Sequence, residues 1–227
     1  MKPLISVIMS VYNDSKNIRN SIESILNQDF KNFEFLIMDD GSTDESYEII
    51  DIYSKDTRVK VFKNNENLGL TKSLNILLEA CQGSFIARQD SDDLSLASRF
   101  TKQLQFINNK NLDFCGSRAI IKGSTKVTPN RSYYLPLKLT LKIKNPFIHG
   151  SLLIKKSIMK DVNNYDERFF YSQDYKLVKD IFNSGYSMKI IREPLYVLNL
   201  ENNISTNYKD KQEYYADCVR KNIIPNE

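Results

Sequence analysis

Two residue periods alternate through the first hundred residues of this chain, and that alternation restricts the fold more than any other feature. "LISVIMSV" (4–11), "FEFLIM" (33–38), "RVKVF" (58–62) and "SFIAR" (84–88) are short apolar runs. A run without polar alternation is what a strand needs when both of its faces are covered. The segments between them change period. Ile18, Ile22, Ile25 and Leu26 recur at helical spacing, as do Tyr47, Ile50 and Tyr53. Leu74, Leu77, Leu78 and Cys81 mark a third helix, and Phe100, Leu104 and Ile107 a fourth. Repeated strand–helix units predict an α/β fold: a mostly parallel sheet with helices on both faces. Asp14 or Ser15 is placed to cap the first helix, and Ser42 with Glu45 reads as a capping box for the second.

The second half is less regular. "DFCGSRAIIKG" predicts a strand and a hairpin, and "SLLI" (151–154) and "SMKII" (187–191) further strands. Residues 174–185 predict a helix with Val178, Ile181 and Phe182 on one face and Gly185 as its stop. The tail from Tyr208 reads as a closing helix or a partner-binding segment. Without a Pro/Gly-rich linker, one domain is expected, with residues 111–227 laid against residues 1–110.

At 227 residues, 41% hydrophobic and 26% charged, the chain has the composition of a soluble globular protein. No apolar run approaches the roughly 20 residues that span a bilayer. The opening lacks the basic lead and small-residue cleavage site of a signal peptide, so a cytoplasmic location is expected. Cys81, Cys115 and Cys218 are widely spaced, which predicts free thiols rather than disulfides or a zinc site. The net charge of +4 hides an asymmetry. Phe114 to Lys160 carries ten Lys or Arg and no acid, while the remainder holds 22 basic and 28 acidic residues. Such a segment suits an anionic partner, such as lipid headgroups or a diphosphate, or is a solvated basic face. The acidic remainder argues against nucleic acid.

Ligands of open parallel sheets bind at the carboxyl ends of the strands. Here those ends read "VYND", "MDDGSTD" and "RQDSDD", so Asp39, Asp40, Asp90 and Asp92 converge on one rim, with Asp93 next in sequence. Carboxylates this close repel unless a cation compensates them. Only oxygen ligands are adjacent in sequence, a donor set for Mg²⁺ or Mn²⁺ shared with a nucleotide diphosphate. A capped turn is the plainer reading of either motif taken singly.

"ISVIMSVYND", "FEFLIMDDGSTD", "NLGLTKSLN", "FIARQDSDDLSLASRFTKQ" and "FFYSQDYKL" stand in an order and spacing that resembles family 2 glycosyltransferases, over about residues 4 to 200. The resemblance implies the Rossmann-like GT-A fold. Residues 1–110 would be the nucleotide-sugar (donor) half and residues 111–227 the half that holds the acceptor and the catalytic base. Val11 and Tyr12 would pack on uracil, Asp39 and Asp40 hold the base, and Asp90, Ser91 and Asp92 form the D-x-D unit on ribose and metal. Asp92 would be the metal ligand, and Lys72 the cation near the diphosphate, since Leu74 stands where many members carry Arg. Asp174 would be the general base, with Gln173 in place of the usual Glu. His149, the only histidine, is a candidate second metal ligand or diphosphate contact as a neutral imidazole, or a structural residue. Arg99 is expected to pair with the aspartates. Tyr133, Tyr134, Tyr165, Tyr171 and Tyr175 are candidate sugar-stacking platforms.

The implied reaction is metal-dependent, inverting transfer of a hexose or N-acetylhexosamine. The donor would be a UDP-sugar and the acceptor a glycan or lipid-linked oligosaccharide of bacterial-type surface polysaccharide, capsule or lipopolysaccharide O-antigen. The basic segment would add peripheral association with an anionic membrane. A nucleotide-sugar-binding homologue with impaired catalysis is the alternative. A sugar nucleotidyltransferase would open with a Gly-rich loop, and "VYNDSKN" contains no Gly.

Overall fold

The protein is described here from a computed structural model covering residues 2–201 and 208–226. The chain runs β1 (Ile5–Val11), α1 (Ile18–Leu26), β2 (Phe33–Asp39), α2 (Ser46–Ile52), β3 (Val59–Lys63), α3 (Leu70–Ala80) and β4 (Phe85–Arg88). It continues through β5 (Leu94–Ser95), α4 (Arg99–Lys110), β6 (Phe114–Ile121), β7 (Val127–Thr128) and α5 (Leu137–Thr140). The last elements are β8 (Leu153–Lys155), α6 (Lys156–Asp161), α7 (Gln173–Asn183), β9 (Met188–Leu198) and α8 (Lys209–Lys221).

One sheet carries the strands in the order β3-β2-β1-β4-β8-β6-β9-β5, with β7 a hairpin partner of β6. The first four are parallel, as their apolar runs predict. Beyond β4 the sheet is mixed. β8 is antiparallel to β4 and β6, β6 and β9 are parallel, and β5 is antiparallel to β9. The β4–β8 pairing makes the sheet continuous between the two halves of the chain.

Each face of the sheet has its own apolar layer. Ile18, Ile22, Ile25, Ile50, Phe100, Leu104 and Ile107 cover one face. Leu74, Leu77 and Leu78, with Val178 and Ile181, pack the other, and α8 closes it with Tyr215, Cys218 and Val219. Side chains of this size stabilise the fold by about 1.5–3 kcal/mol each when fully buried. The tail therefore forms the closing helix. All three cysteines are free and buried.

Neither predicted side-chain cap forms. α1 begins at Ile18 with Asn17 at its N-cap, and α2 begins at Ser46 with Glu45 there, both without a side-chain capping bond. The groups are used elsewhere. Asp14 accepts from Asn17 Nδ2 and Ser91 Oγ, and Ser42 Oγ accepts the Asn13 N–H. Thr43 N–H donates to Asn13 Oδ1 at 2.8 Å and Ser15 N–H to Asp44 at 3.0 Å, so the loops after β1 and β2 are stitched together. α7 starts one residue before its predicted boundary and stops ahead of Gly185, whose φ is 84°. Among the described residues, no helix is long and apolar enough to cross a membrane.

Candidate active site

β1 lies between β2 and β4, all three parallel, so their carboxyl ends open on one rim. Val11, the last residue of β1, is buried and level with Asp39, the last of β2. Tyr12 follows, half exposed. Asp39 is fully buried, and neither of its carboxylate oxygens has a hydrogen-bond partner among the described residues. A buried carboxylate without a partner is costly, so these oxygens call for a donor beyond the described residues.

Asp40 is occupied differently. Its Oδ1 accepts from Asn64 Nδ2 at 2.7 Å and Leu68 N–H at 3.0 Å, and its Oδ2 from Gly69 N–H at 2.9 Å. Both oxygens thus pin the 64–69 loop. Gly41 completes the junction. A Cβ there, at φ 74°, would lie 2.5 Å from the Glu66 carbonyl carbon.

The turn after β4 carries the D-x-D residues. Arg88, buried, donates from Nη2 to Asp90 Oδ1 at 2.7 Å. Ser91 Oγ donates to Asp14 Oδ2 at 2.6 Å. Unlike Asp90, Asp92 forms no ion pair with a Lys or Arg among the described residues. Burial, then the neighbouring Asp90 and Asp14 carboxylates, push its carboxyl up to about 7. Asp93 is buried, accepts the Asn199 N–H on Oδ1 at 2.6 Å, and is raised to about 8 by burial, then by Asp90 and Asp92. Arg88 therefore offsets one carboxylate and leaves another in want of a positive charge.

The turn rests on a buried polar support. Gln89 Nε2 bridges Ser21 Oγ and the Asp93 carbonyl, and its Oε1 accepts from Ser95 Oγ. Arg99, fully buried, does not pair with the aspartates. Its Nε donates to Gln103 Oε1, Nη1 to Gln89 Oε1 and Ser95 Oγ, and Nη2 to the Arg88 and Leu152 carbonyls. Five neutral acceptors matched to five N–H groups make this burial tolerable without a carboxylate.

The second half meets the rim at His149 and Gly150. A Cβ on Gly150 would fall 2.5 Å from Asp90 Oδ2 and 2.0 Å from Tyr196 Oη, so only glycine lets this turn sit on Asp90. His149 Nε2 and Tyr165 Oη are 2.8 Å apart. Burial, followed by the nearby Arg88, depresses the imidazole to about 4 against the pull of Asp90 and Asp174, so it is neutral. Asn75 on α3 fixes Tyr165 by a reciprocal pair: Nδ2 donates to the Tyr165 carbonyl at 2.9 Å, and Oδ1 accepts its N–H at 3.1 Å. Asp174, in the first turn of α7, accepts from Asn145 Nδ2 at 2.8 Å. Its other oxygen takes part in no hydrogen bond among the described residues.

Arg88 bonds Asp90 and Ser91 bonds Asp14, while His149 feels the charges of Arg88, Asp90 and Asp174, and Asp92 those of Asp90 and Asp14. Lys72 stands apart, exposed on α3 with no ion pair among the described residues, while Leu74 is fully buried in the core. Tyr165 and Tyr175 are core residues rather than open platforms. Tyr171 packs edge-on against Tyr215, and Tyr133 against Tyr134. Arg88, Gln89, Asn75 and Asn145 were not anticipated from the sequence. No three His, Cys, Asp or Glu side chains come together as a metal cage among the described residues. The donor set still fits a hard cation that takes one or two protein oxygens and completes its shell with phosphate, as Mg²⁺ does. The uncompensated Asp92 is the observation that fits it.

Fold and rim together define a glycosyltransferase of the GT-A type. The sequence model of glycosyl transferase family 2 matches residues 6–178, and the chain belongs to that family. It is 33% identical over 228 residues to an uncharacterized glycosyltransferase of Methanocaldococcus jannaschii, covering 95% of this chain and 78% of that one. It is 31% identical over 228 residues to the O-antigen biosynthesis glycosyltransferase WbnJ of Escherichia coli, covering 95% and 86%. Among solved structures, S. aureus TarS in complex with UDP-GlcNAc superposes with a TM-score of 0.76 at 21% identity, over 89% of this chain and 60% of that one. The mannosyltransferase PcManGT of Pyrobaculum calidifontis, in complex with GDP-Man and Mn²⁺, gives 0.77 at 16%, over 99% and 66%.

Proposed function

We propose that the chain transfers a hexose or N-acetylhexosamine from a UDP-sugar to a glycan acceptor, with inversion, in the synthesis of a surface polysaccharide such as a capsule or O-antigen. The observation that carries the donor assignment is Asp39. A fully buried carboxylate with both oxygens unpartnered among the described residues, at the carboxyl end of β2, suits the N–H of a nucleotide base. Asp40 would act on the base indirectly, by holding the 64–69 loop. Val11 and Tyr12 would supply the apolar contact, and Asp90 and Ser91 the ribose contacts. Residues 1–110 thus hold the donor, and residues 111–227 bring the acceptor and the base. The relatives support the acceptor class, for one of them is the E. coli UDP-Glc:alpha-D-GlcNAc-diphosphoundecaprenol beta-1,3-glucosyltransferase, 34% identical over 125 residues.

Asp174 is the general base of this reading. Asn145 holds one carboxylate oxygen, leaving the other to take the proton of the acceptor hydroxyl as its oxygen attacks the anomeric carbon. UDP leaves from the opposite face, and no enzyme-bound sugar forms. Asp92, with His149 as a further candidate ligand, would hold Mn²⁺ or Mg²⁺, which would supply positive charge against the leaving diphosphate. Lys72 would serve only as a peripheral attraction for that diphosphate.

The test is the thermal unfolding midpoint with UDP, with Mn²⁺, with both and with neither. A ligand that binds only the folded state adds about 2.7 kcal/mol at a hundredfold excess over Kd. A rise with UDP that requires Mn²⁺ and is abolished in Asp92→Ala supports the donor site, and a screen of UDP-sugars for turnover then separates transferase from binding protein. No shift with either ligand removes the donor assignment.

A further inference from the structure

We propose that residues 131–144 form a membrane-docking surface that seats on anionic lipid headgroups. This goes beyond the reaction proposed above and does not depend on it. Four large apolar side chains face solvent within this stretch: Tyr134 at 66% exposure, Leu135 at 55%, Leu139 at 54% and Ile143 at 65%. Arg131, Lys138, Lys142 and Lys144 are exposed among them. None of these four cations forms an ion pair among the described residues, although Lys155, Lys176 and Arg220 elsewhere do. The sequence around them, from Phe114 to Lys160, holds no acid that could pair locally.

The outward face is held in place from below. Thr140 and Leu141 are buried, Tyr175 Oη donates to the Leu141 carbonyl at 2.7 Å, and Arg220 Nη1 donates to the Ile143 carbonyl at 3.1 Å. Leu139 and Ile143 are therefore exposed by the local fold. Apolar side chains interleaved with lysines match an interface in which the apolar groups enter the headgroup–acyl boundary and the ammonium groups reach the phosphates. A second copy of the chain would oppose lysine to lysine on this face and repel. The surface also leads to the proposed base. Lys144 is followed by Asn145, which holds Asp174, and Arg131, Lys144 and Asn145 line a cavity of about 280 Å³. A bilayer-borne acceptor would meet the site from this side.

Flotation of the full chain with vesicles tests the proposal. At low salt the protein should float with phosphatidylglycerol-containing vesicles and not with phosphatidylcholine alone, and added salt should release it. Two variants address the two contributions: Lys138→Ala with Lys142→Ala, and Leu135→Ser with Leu139→Ser and Ile143→Ser. Each should weaken partition by about tenfold or more. Because the chain contains no Trp, Leu139→Trp supplies a single fluorophore at the surface. Its emission should shift to the blue on phosphatidylglycerol vesicles and be quenched by brominated acyl chains. The Leu139→Trp variant keeps the surface apolar, so it decides the matter even if the triple serine variant misfolds. Absence of wild-type flotation at low salt, or an indole emission that vesicles leave unchanged in the Leu139→Trp variant, overturns the proposal. So does loss of binding in the lysine variant alone, which describes a solvated basic face that merely adsorbs. A response to an acidic protein but not to vesicles overturns it in favour of that partner. The UDP-dependent rise in midpoint is read in parallel, and its failure would remove the donor assignment without touching this surface.

Discussion

Asp92→Asn should make the ligand-free protein more stable and the ligand-bound protein less so. The folded structure raises this carboxyl from its ordinary 3.8 to about 7, chiefly by burial and then by Asp90 and Asp14. The folded state therefore holds a proton that the unfolded state releases, between pH about 4 and about 7. Stability falls as pH rises through that window, and the loss is complete above it. Taken at face value the shift is worth about 4 kcal/mol. Solvent reaches part of the side chain, so about 1–2 kcal/mol is the working expectation. For a chain of this length that is about 2–8 °C in the midpoint. Asparagine keeps the shape and cannot ionise. In EDTA at pH 8 the variant should melt above the wild type by that margin, and the margin should shrink at pH 5. Asp93 titrates in both proteins, so the difference reports Asp92 and its coupling to Asp93. With UDP and Mn²⁺ the order should reverse. An asparagine variant no more stable at pH 8, or one whose advantage is the same at both pH values, would refute the argument that Asp92 is an uncompensated charge.

Asp174→Asn should lower kcat by about 10²–10⁴ while UDP affinity stays as in the wild type, and near-normal turnover would rule it out as the base. Asp39→Asn should weaken UDP binding by about tenfold to a hundredfold, read by calorimetry, without lowering the ligand-free midpoint. Unaltered affinity would show that its orphaned oxygens serve something other than the base. Arg99→Ala removes five donors from buried neutral acceptors and should cost about 4 kcal/mol in urea unfolding, and a cost under about 1 kcal/mol would mean the network relaxes around the loss.

The first half was legible because its strands are buried on both faces and its helices on one, so each element announces itself by period. β1 to β4 and the helices between them fall close to where Ile5, Phe33, Val59 and Phe85 begin their apolar runs. The second half was less so. β9 continues to Leu198 through "REPLYVL", and Pro194 argues locally against a central strand. The pairing of β6 with β9 shifts register around Arg118, and there Pro194 is accommodated. β5 has only Leu94 and Ser95, a length no pattern can signal. The caps failed for a different reason: Asp14 and Ser42 have the right chemistry for capping, but the neighbouring loops supply them with other partners.

The rim shows what sequence proximity can and cannot reveal. Its aspartates were visible because the strand ends of one parallel sheet must open on the same side. Their roles were not, because compensation is decided by side-chain direction. Arg88 and Asp92 flank Asp90 at equal distance in the sequence, and only the folded turn aims the guanidinium at Asp90. Arg99, also close in sequence, turns inward to Gln89 and Gln103 and offers the aspartates no bond. Gly150 then brings the second half onto Asp90 Oδ2, a long-range contact that any side chain would block. Asp92 forms no ion pair among the described residues, whereas Asp90 has Arg88. Burial, with Asp90 and Asp14, raises the Asp92 carboxyl, and that is the feature the proposed metal ion would relieve.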